Sequence, residues 1–202
     1  MLDHLVYAVP DLDDGVAELA RLTGLRATPG GRHQGFGTHN ALLGLDNRTF
    51  LEVIAPDPSQ PAPRRPRLFG IDGIEQPRLV GWVFRTTDLP GLIARTRGVG
   101  LEPGDSIEMV RNRPDGTRLA WRLTSALSGD LTPTFIDWGT AEHPSAGLPV
   151  GLRLLSLTVR HPQPVRFGAA LRSLGIAYPV EQGRQPQLIA HFDGPGGGLI
   201  LD

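Results

Sequence analysis

Short apolar runs along the chain alternate with helical stripes in a repeating order: one strand, one helix, then further strands. Residues 3–9, Asp-His-Leu-Val-Tyr-Ala-Val, are apolar and β-branched enough for a strand, and Pro10 ends it. Asp11 is placed to cap a helix over 12–23. There Leu12, Val16, Leu19, Ala20 and Leu22 fall at helical spacing, and Gly24 supplies the stop. A Gly-rich stretch around Pro29, Gly30 and Gly31 follows. Strands are then expected at 39–45 and 49–54, with Asp46-Asn47-Arg48 turning the chain between them.

Residues 57–77 begin with a Pro- and Arg-rich stretch and read as a linker or surface loop. Beyond it the same order restarts. Leu79–Thr86 is a strand, Asp88 repeats the cap, and Leu89, Leu92, Ile93 and Thr96 form a helical stripe ended by Gly98 and Gly100. Arg118–Thr124 and Thr134–Trp138 are later strands, and Pro114-Asp115-Gly116 is a turn. A third round has a strand at Leu152–Val159, a helix at Val165–Leu174 and closing strands at Gln187–Phe192 and Gly198–Leu201. The expected division is a first unit over 1–56, a loop over 57–77, a second unit over 78–140 and a shorter third over 150–202.

Period-2 alternation decides which side chains can meet. In the first strand Leu5, Tyr7 and Val9 suit the face under the helix, leaving His4, Val6 and Ala8 on the other. In the strand at 49–54, Phe50, Glu52 and Ile54 oppose Leu51 and Val53. On one curved sheet with its helix outside, His4 and Glu52 point into the same hollow. Together they can serve as a partial metal site or an acid/base pair. A carboxylate between two apolar neighbours is costly unless it is paired or exposed, which favours a role for Glu52.

Composition removes several alternatives. No cysteine is present, so thiolate chemistry and disulfides are excluded, and all 20 basic residues are arginine, so lysine bases and Schiff bases are excluded too. A formal net charge of -1 gives no reason to expect nucleic acid or an anionic membrane as partner. No apolar run approaches the roughly 18 residues of a membrane span. The start Met1-Leu2-Asp3-His4 lacks the basic and apolar regions of a signal peptide, so a cytoplasmic location is expected. No nucleophile elbow or dinucleotide fingerprint is present.

His4-Leu-Val-Tyr-Ala-Val-Pro-Asp11-Leu12 resembles the opening strand and helix start of glyoxalase-type members of the vicinal oxygen chelate superfamily. Phe50-Leu51-Glu52-Val53-Ile54 resembles their closing strand. The run from Gly30 to Leu43, containing Arg32, His33, His39 and Asn40, is similar to a glyoxalase-like branch. The resemblance covers most of residues 1–140 and is strongest over 1–56. It implies an α+β fold of repeated βαβββ units forming curved mixed sheets, shared by glyoxalases, bleomycin-resistance proteins and dioxygenases. It further implies His4 and Glu52 as metal ligands, and metal-assisted lyase or isomerase chemistry on a substrate with vicinal oxygens.

By the same spacing, Trp82 stands where the second unit would carry its histidine, which argues against dioxygenase-like chemistry, and Asp137 stands where its glutamate would fall. One of His39 and Asn40 should face the cup. His4, His39 and Glu52 would then form a two-histidine, one-carboxylate set suited to a divalent ion such as Zn, Ni, Fe or Mn, with Asp137 added from the second unit. Glu52 and His39 are the expected catalytic groups. Arg32, His33, Asn40, Trp82, Trp121 and Trp138 are the expected ligand-binding residues, the three tryptophans forming an aromatic wall. His143 is expected in an exposed loop. The alternative implied by the same fold is a drug- or metabolite-sequestering protein that catalyses nothing. The expected partner is a small molecule. Cups in this superfamily form from paired units, so the odd third unit docks outside, or a homodimer supplies its partner.

Overall fold

The computed structural model describes the chain apart from residues 47, 113–115 and 126–128, and of Asn112 only the backbone. The two expected turns at 46–48 and 114–116 therefore lie partly outside the described residues.

The first unit runs β1 (Leu2–Ala8), α1 (Leu12–Thr23), β2 (Thr28–His33), β3 (Thr38–Gly44) and β4 (Phe50–Pro56). The second runs β5 (Arg78–Arg85), α2 (Leu89–Gly98), β6 (Ser106–Asn112), β7 (Arg118–Thr124) and β8 (Thr134–Asp137). The third runs β9 (Arg153–His161), α3 (Pro164–Ser173), β10 (Val180–Gln182), β11 (Gln187–Gly194) and β12 (Gly197–Leu201). Three strands escape the sequence reading: β2, taken for a Gly-rich loop, and β6 and β10.

Local chemistry explains the repeated strand-to-helix step. Asp11 accepts the amide of Asp14 at 3.1 Å, and Asp88 accepts that of Gly91 at 2.9 Å, so α1 and α2 each start on a side-chain cap. Gly24 ends α1 in the left-handed region at φ 72°. Gly15 lets α1 close onto β1, because a Cβ there would stand 2.7 Å from Val9 Cγ1.

The first two units share one closed barrel in the order β1-β4-β3-β2-β6-β7-β8-β5, while the third forms a separate sheet, β10-β9-β11-β12. Each of the first two units pairs its first and last strands in parallel, β1 with β4 and β5 with β8. The units join antiparallel through β1–β5 on one side and through a short β2–β6 contact, Arg32 to Asn112 and His33 to Arg111, on the other. Two apolar clusters result. The outer one, under the helices, contains Leu5, Leu19, Leu51, Trp82 and Phe135 and runs on into the third unit through Val159, Phe167 and Leu188. The inner one lines the barrel with Val6, Ile54, Val83, Met109, Leu123 and Ile136. The third unit thus docks outside the barrel, one contact being the Gly196 amide donating to the Thr23 carbonyl at 2.8 Å.

Candidate active site

The barrel interior holds a small cavity of about 40 Å³. Its polar end is built by the first unit. β1 presents His4, β2 His33, β3 Thr38 and Asn40, and β4 Phe50 and Glu52. Those positions follow from the pleat: β1 and β4 run parallel with Val6 opposite Glu52, so His4, Val6, Phe50 and Glu52 share the inner face. The second unit lines the cavity with Met109, Arg111, Trp121, Leu123, Ile136 and Trp138. Of these, only Arg111 is charged.

Glu52 is the hub. Asn40 Nδ2 donates to its Oε1 at 2.5 Å, His4 Nε2 lies 3.6 Å from its Oε2, and His33 Nε2 lies 3.9 Å from Oε1. Arg111 Nη1 donates to Asn40 Oδ1 at 3.2 Å, which fixes the amide so that its NH₂ faces the carboxylate. His4 Nδ1 meets Asp3 Oδ1 at 2.7 Å. A carboxylate at Nδ1 holds the proton there, so the Nε2 lone pair faces Glu52. Two acceptors therefore confront each other at 3.6 Å, a geometry that calls for a proton, a donor hydroxyl or a cation between them.

His33 is arranged in the same sense. Its Nδ1 pairs with Thr38 Oγ1 at 2.8 Å, and Asn40 Nδ2 lies 3.4 Å from its Nε2. Burial pushes this imidazole down to about 4. Glu52 pulls upward, while the neighbouring Arg111 charge adds to the fall, so His33 is neutral at neutral pH.

Behind His4 lies a second buried network. Asp3 is fully buried and receives His143 Nε2 at 2.9 Å and Trp138 Nε1 at 3.1 Å, besides His4, while the Arg85 guanidinium forms an ion pair with it, Nε lying 3.1 Å from Oδ2. Burial opposes its ionisation, but the hydrogen bonds from His143 and His4 outweigh it and hold the carboxyl well below the usual range. His143 also meets Ser145 Oγ at 2.7 Å and packs against Phe50 and Trp138, so it pins the 143–147 segment, whose Pro144 lines the cavity. It is half-buried rather than loosely exposed.

Several expected site residues lie elsewhere. His39 is on the opposite face of β3 from Asn40, close enough to Asp57 to lower its pKa, and does not line the cavity. Asp137 is turned outward from β8, buried against Arg122 at 2.6 Å. Trp82 sits in the outer cluster with its Nε1 donating to the Leu131 carbonyl at 2.8 Å, and the inward residue opposite His4 is Val83. Arg32 points out, pairing with Asp57 at 3.3 Å with a side chain 61% exposed. His4, His33, Asn40, Glu52, Trp121 and Trp138 are brought together. Asp3 and Arg111 were missed by sequence reasoning. Arg111 had a readable signal, since it follows Met109 at strand spacing.

The metal expected from the resemblance meets a partial fit. His4 Nε2, His33 Nε2 and a Glu52 oxygen are the right donor types, with both lone pairs aimed inward. His4 Nε2 lies 3.6 Å from Oε2 and His33 Nε2 lies 3.9 Å from Oε1, each beyond the roughly 3.0–3.4 Å between ligand atoms on one ion. Among the described residues no three His, Asp or Glu side chains are preformed as a metal cluster.

A model of the glyoxalase-like domain matches residues 2–175, most of the chain. The protein belongs to the glyoxalase-like domain family. That places it in the vicinal oxygen chelate superfamily, in keeping with its α+β strand order. Among solved structures, a hypothetical protein from Staphylococcus aureus superposes with a TM-score of 0.70 at 14% identity, over 94% of this chain and 90% of that one. Methylmalonyl-CoA epimerase from Mycobacterium tuberculosis gives 0.43 at 19% identity, over 68% of this chain and 87% of that one. The Streptomyces coelicolor epimerase bound to 2-nitronate-propionyl-CoA gives 0.45 at 16% identity, over 71% and 98%. At these identities the likeness is one of fold. No curated protein matches the sequence. No helix among the described residues is long and apolar enough to cross a membrane.

Proposed function

We propose that the barrel cavity of this glyoxalase-like protein binds a small molecule bearing adjacent oxygens, and that Glu52 moves a proton on the carbon beside them, as an isomerase or lyase. The observation that carries this reading is the buried Glu52 carboxylate, with Oε1 anchored by Asn40 and Oε2 open toward His4 Nε2 at 3.6 Å in the barrel cavity. A base needs one oxygen fixed and one directed at the substrate, in a site that excludes water. Asp3 sets the His4 tautomer so that Nε2 can accept a proton or a hydroxyl hydrogen at the same point. His33 offers a second neutral acceptor, and Trp121 and Trp138 flank the space as the apolar wall. His4, His33 and Glu52 are the residues that would hold a divalent ion. Such an ion, when bound, polarises the adjacent oxygens and stabilises the negative charge that proton removal leaves.

The test is solvent deuterium exchange. Small 2-oxo acids and 2-hydroxy ketones are incubated with the protein in D₂O, with and without Zn(II), Ni(II), Fe(II) or Mn(II), and C–H loss is followed by NMR. Glu52→Gln is expected to slow exchange by about 10²–10⁴-fold; exchange undiminished in that variant would refute the assignment. Metal content after dialysis, compared with His4→Ala and Glu52→Ala, reports the ion separately. A second reading rests on the second unit's wall, where Met109, Trp121, Leu123, Ile136 and Trp138 form an apolar and aromatic surface suited to a binding protein without turnover. Tight ligand binding with no Glu52-dependent exchange on any compound would favour it.

A further inference from the structure

We infer that Arg111 makes this cavity a site for small monocarboxylates with an apolar or aromatic body, the carboxylate docking on the guanidinium and the next carbon lying toward Glu52. The inference deepens the reading of Glu52 as the proton-moving group and rests on it. Arg111 keeps 4% of its surface exposed and lines the cavity, the one arginine to do so among the described residues. β6 puts it there by alternation with Met109, so a fixed cation is built into a wall that is otherwise apolar. A guanidinium is planar and matches a carboxylate with two parallel N–H donors.

Asn40 sets the spacing. It accepts from Arg111 on one side and donates to Glu52 on the other, so a single amide separates the cation from the base. That gap suits a carboxylate group followed by its α-carbon. The same proximity argues against a dianion such as phosphate, whose second charge would stand beside Glu52. β2 leaves room for the arrangement. A Cβ on Gly30 would lie 2.1 Å from Asn40 Oδ1 and 2.8 Å from Arg111 Nη1. Arg111 and Pro144 also border a second hollow, lined by Thr28, Pro29, Glu142 and Leu148, so a ligand arriving from that side meets the guanidinium at the threshold. Trp121 and Trp138, with ring centroids 5.3 Å apart, supply the surface for the apolar body.

The experiment titrates benzoate and phenylacetate, their neutral amides benzamide and phenylacetamide, and inorganic phosphate into the full chain after dialysis against chelator. Binding is read by calorimetry and by tryptophan fluorescence. The acids are expected to bind at least about tenfold more tightly than the amides. That ratio should fall to about one in Arg111→Gln and persist in Glu52→Gln. Should Arg111→Gln fail to fold, Arg111→Lys, a point charge without the fork, is expected to keep a reduced preference. Equal binding of acid and amide to the unaltered protein, no binding of either, a ratio undiminished in the folded Arg111 variants, or phosphate competing as well as benzoate would each overturn the inference. An acid-to-amide ratio of one alongside Glu52-dependent exchange would sink this inference alone; loss of Glu52 dependence with the ratio intact would sink only the base assignment.

Discussion

Gly30→Ala is the sharpest structural perturbation of the polar end, because it adds one methyl group where the barrel has no space. The new carbon would stand 2.1 Å from Asn40 Oδ1, 2.9 Å from Asn40 Cγ and 2.8 Å from Arg111 Nη1. Ordinary carbon–oxygen contact begins about an ångström further out, and Asn40 is buried and held from both sides. Overpacking of this kind costs about 1–3 kcal/mol. Displacing Asn40 also strips Glu52 of its donor and Arg111 of an acceptor, and a buried hydrogen bond to a charged group is worth about 1.5–3 kcal/mol. Because the two effects share one displacement they do not add fully, and a total of about 2–4 kcal/mol is expected. For a chain of this size that lowers Tm by about 5–15 °C. Gly98→Ala is the control. It ends α2 with no atom within 4 Å of an added Cβ, so it should leave stability unchanged or raise it by up to about 1 kcal/mol. Urea unfolding of both variants, with Gly30→Ala/Asn40→Ser as partial rescue, checks the reasoning. Gly30→Ala as stable as Gly98→Ala, or a rescue variant no better than its parent, would show that the Asn40 cradle is not tight.

His33 should make stability depend on pH. Its folded value of about 4 lies below the ordinary 6.5, so between those limits the unfolded chain binds a proton that the folded one refuses. The resulting stabilisation is complete above about pH 6.5 and is lost as pH falls to 4, amounting to roughly 3 kcal/mol at most. Urea midpoints of metal-free protein at pH 7, 5.5 and 4 should converge with those of His33→Gln at the acid end; a constant gap would contradict this. Trp82→Phe should destabilise by about 1–3 kcal/mol by leaving the buried carbonyl of Leu131, a residue at φ 62°, without its donor. Ligand-induced fluorescence change should survive in that variant, since Trp82 is outside the cavity. Loss of the signal would place Trp82 in the site after all.

Alternation in β1 and β4 made the meeting of His4 and Glu52 readable, because in each strand a titratable side chain interrupts an apolar face. Alternation could not decide between His39 and Asn40, and the resemblance's spacing put Asp137 and Trp82 at places that face away from the cavity, for a physical reason. Barrel strands are covered on both sides, by the cavity within and by helices or the third sheet without. In β3, Leu42 faces in while Ala41 and Leu43 face out; in β8, Ile136 faces in while Phe135 faces out. Hydrophobicity cannot assign parity to such strands, so neither which of His39 and Asn40 faces inward nor the orientation of Asp137 had composition to guide it. β2 escaped notice because its glycines read as a loop, whereas Gly30 is where a Cβ would collide with Asn40 and Arg111.

The two halves of the barrel share a plan but divide the labour. The first unit gathers His4, His33, Asn40 and Glu52 around one carboxylate, while the second gives apolar side chains and a single guanidinium. A base facing an apolar wall is poorly solvated and therefore reactive, yet the same wall would let any greasy molecule enter. The role inferred for Arg111 would resolve that conflict, since a charge at the polar end would orient what the wall merely attracts. Asn40 hydrogen-bonds both groups, so on the proposed reading proton transfer and carboxylate selectivity would be coupled through one amide. Asn40→Asp would replace the donor facing Glu52 with a like charge while strengthening the bond to Arg111, and so should weaken proton exchange and carboxylate affinity together. If only one of the two responds, the base and the cation act independently and the amide is a spacer without a coupling role.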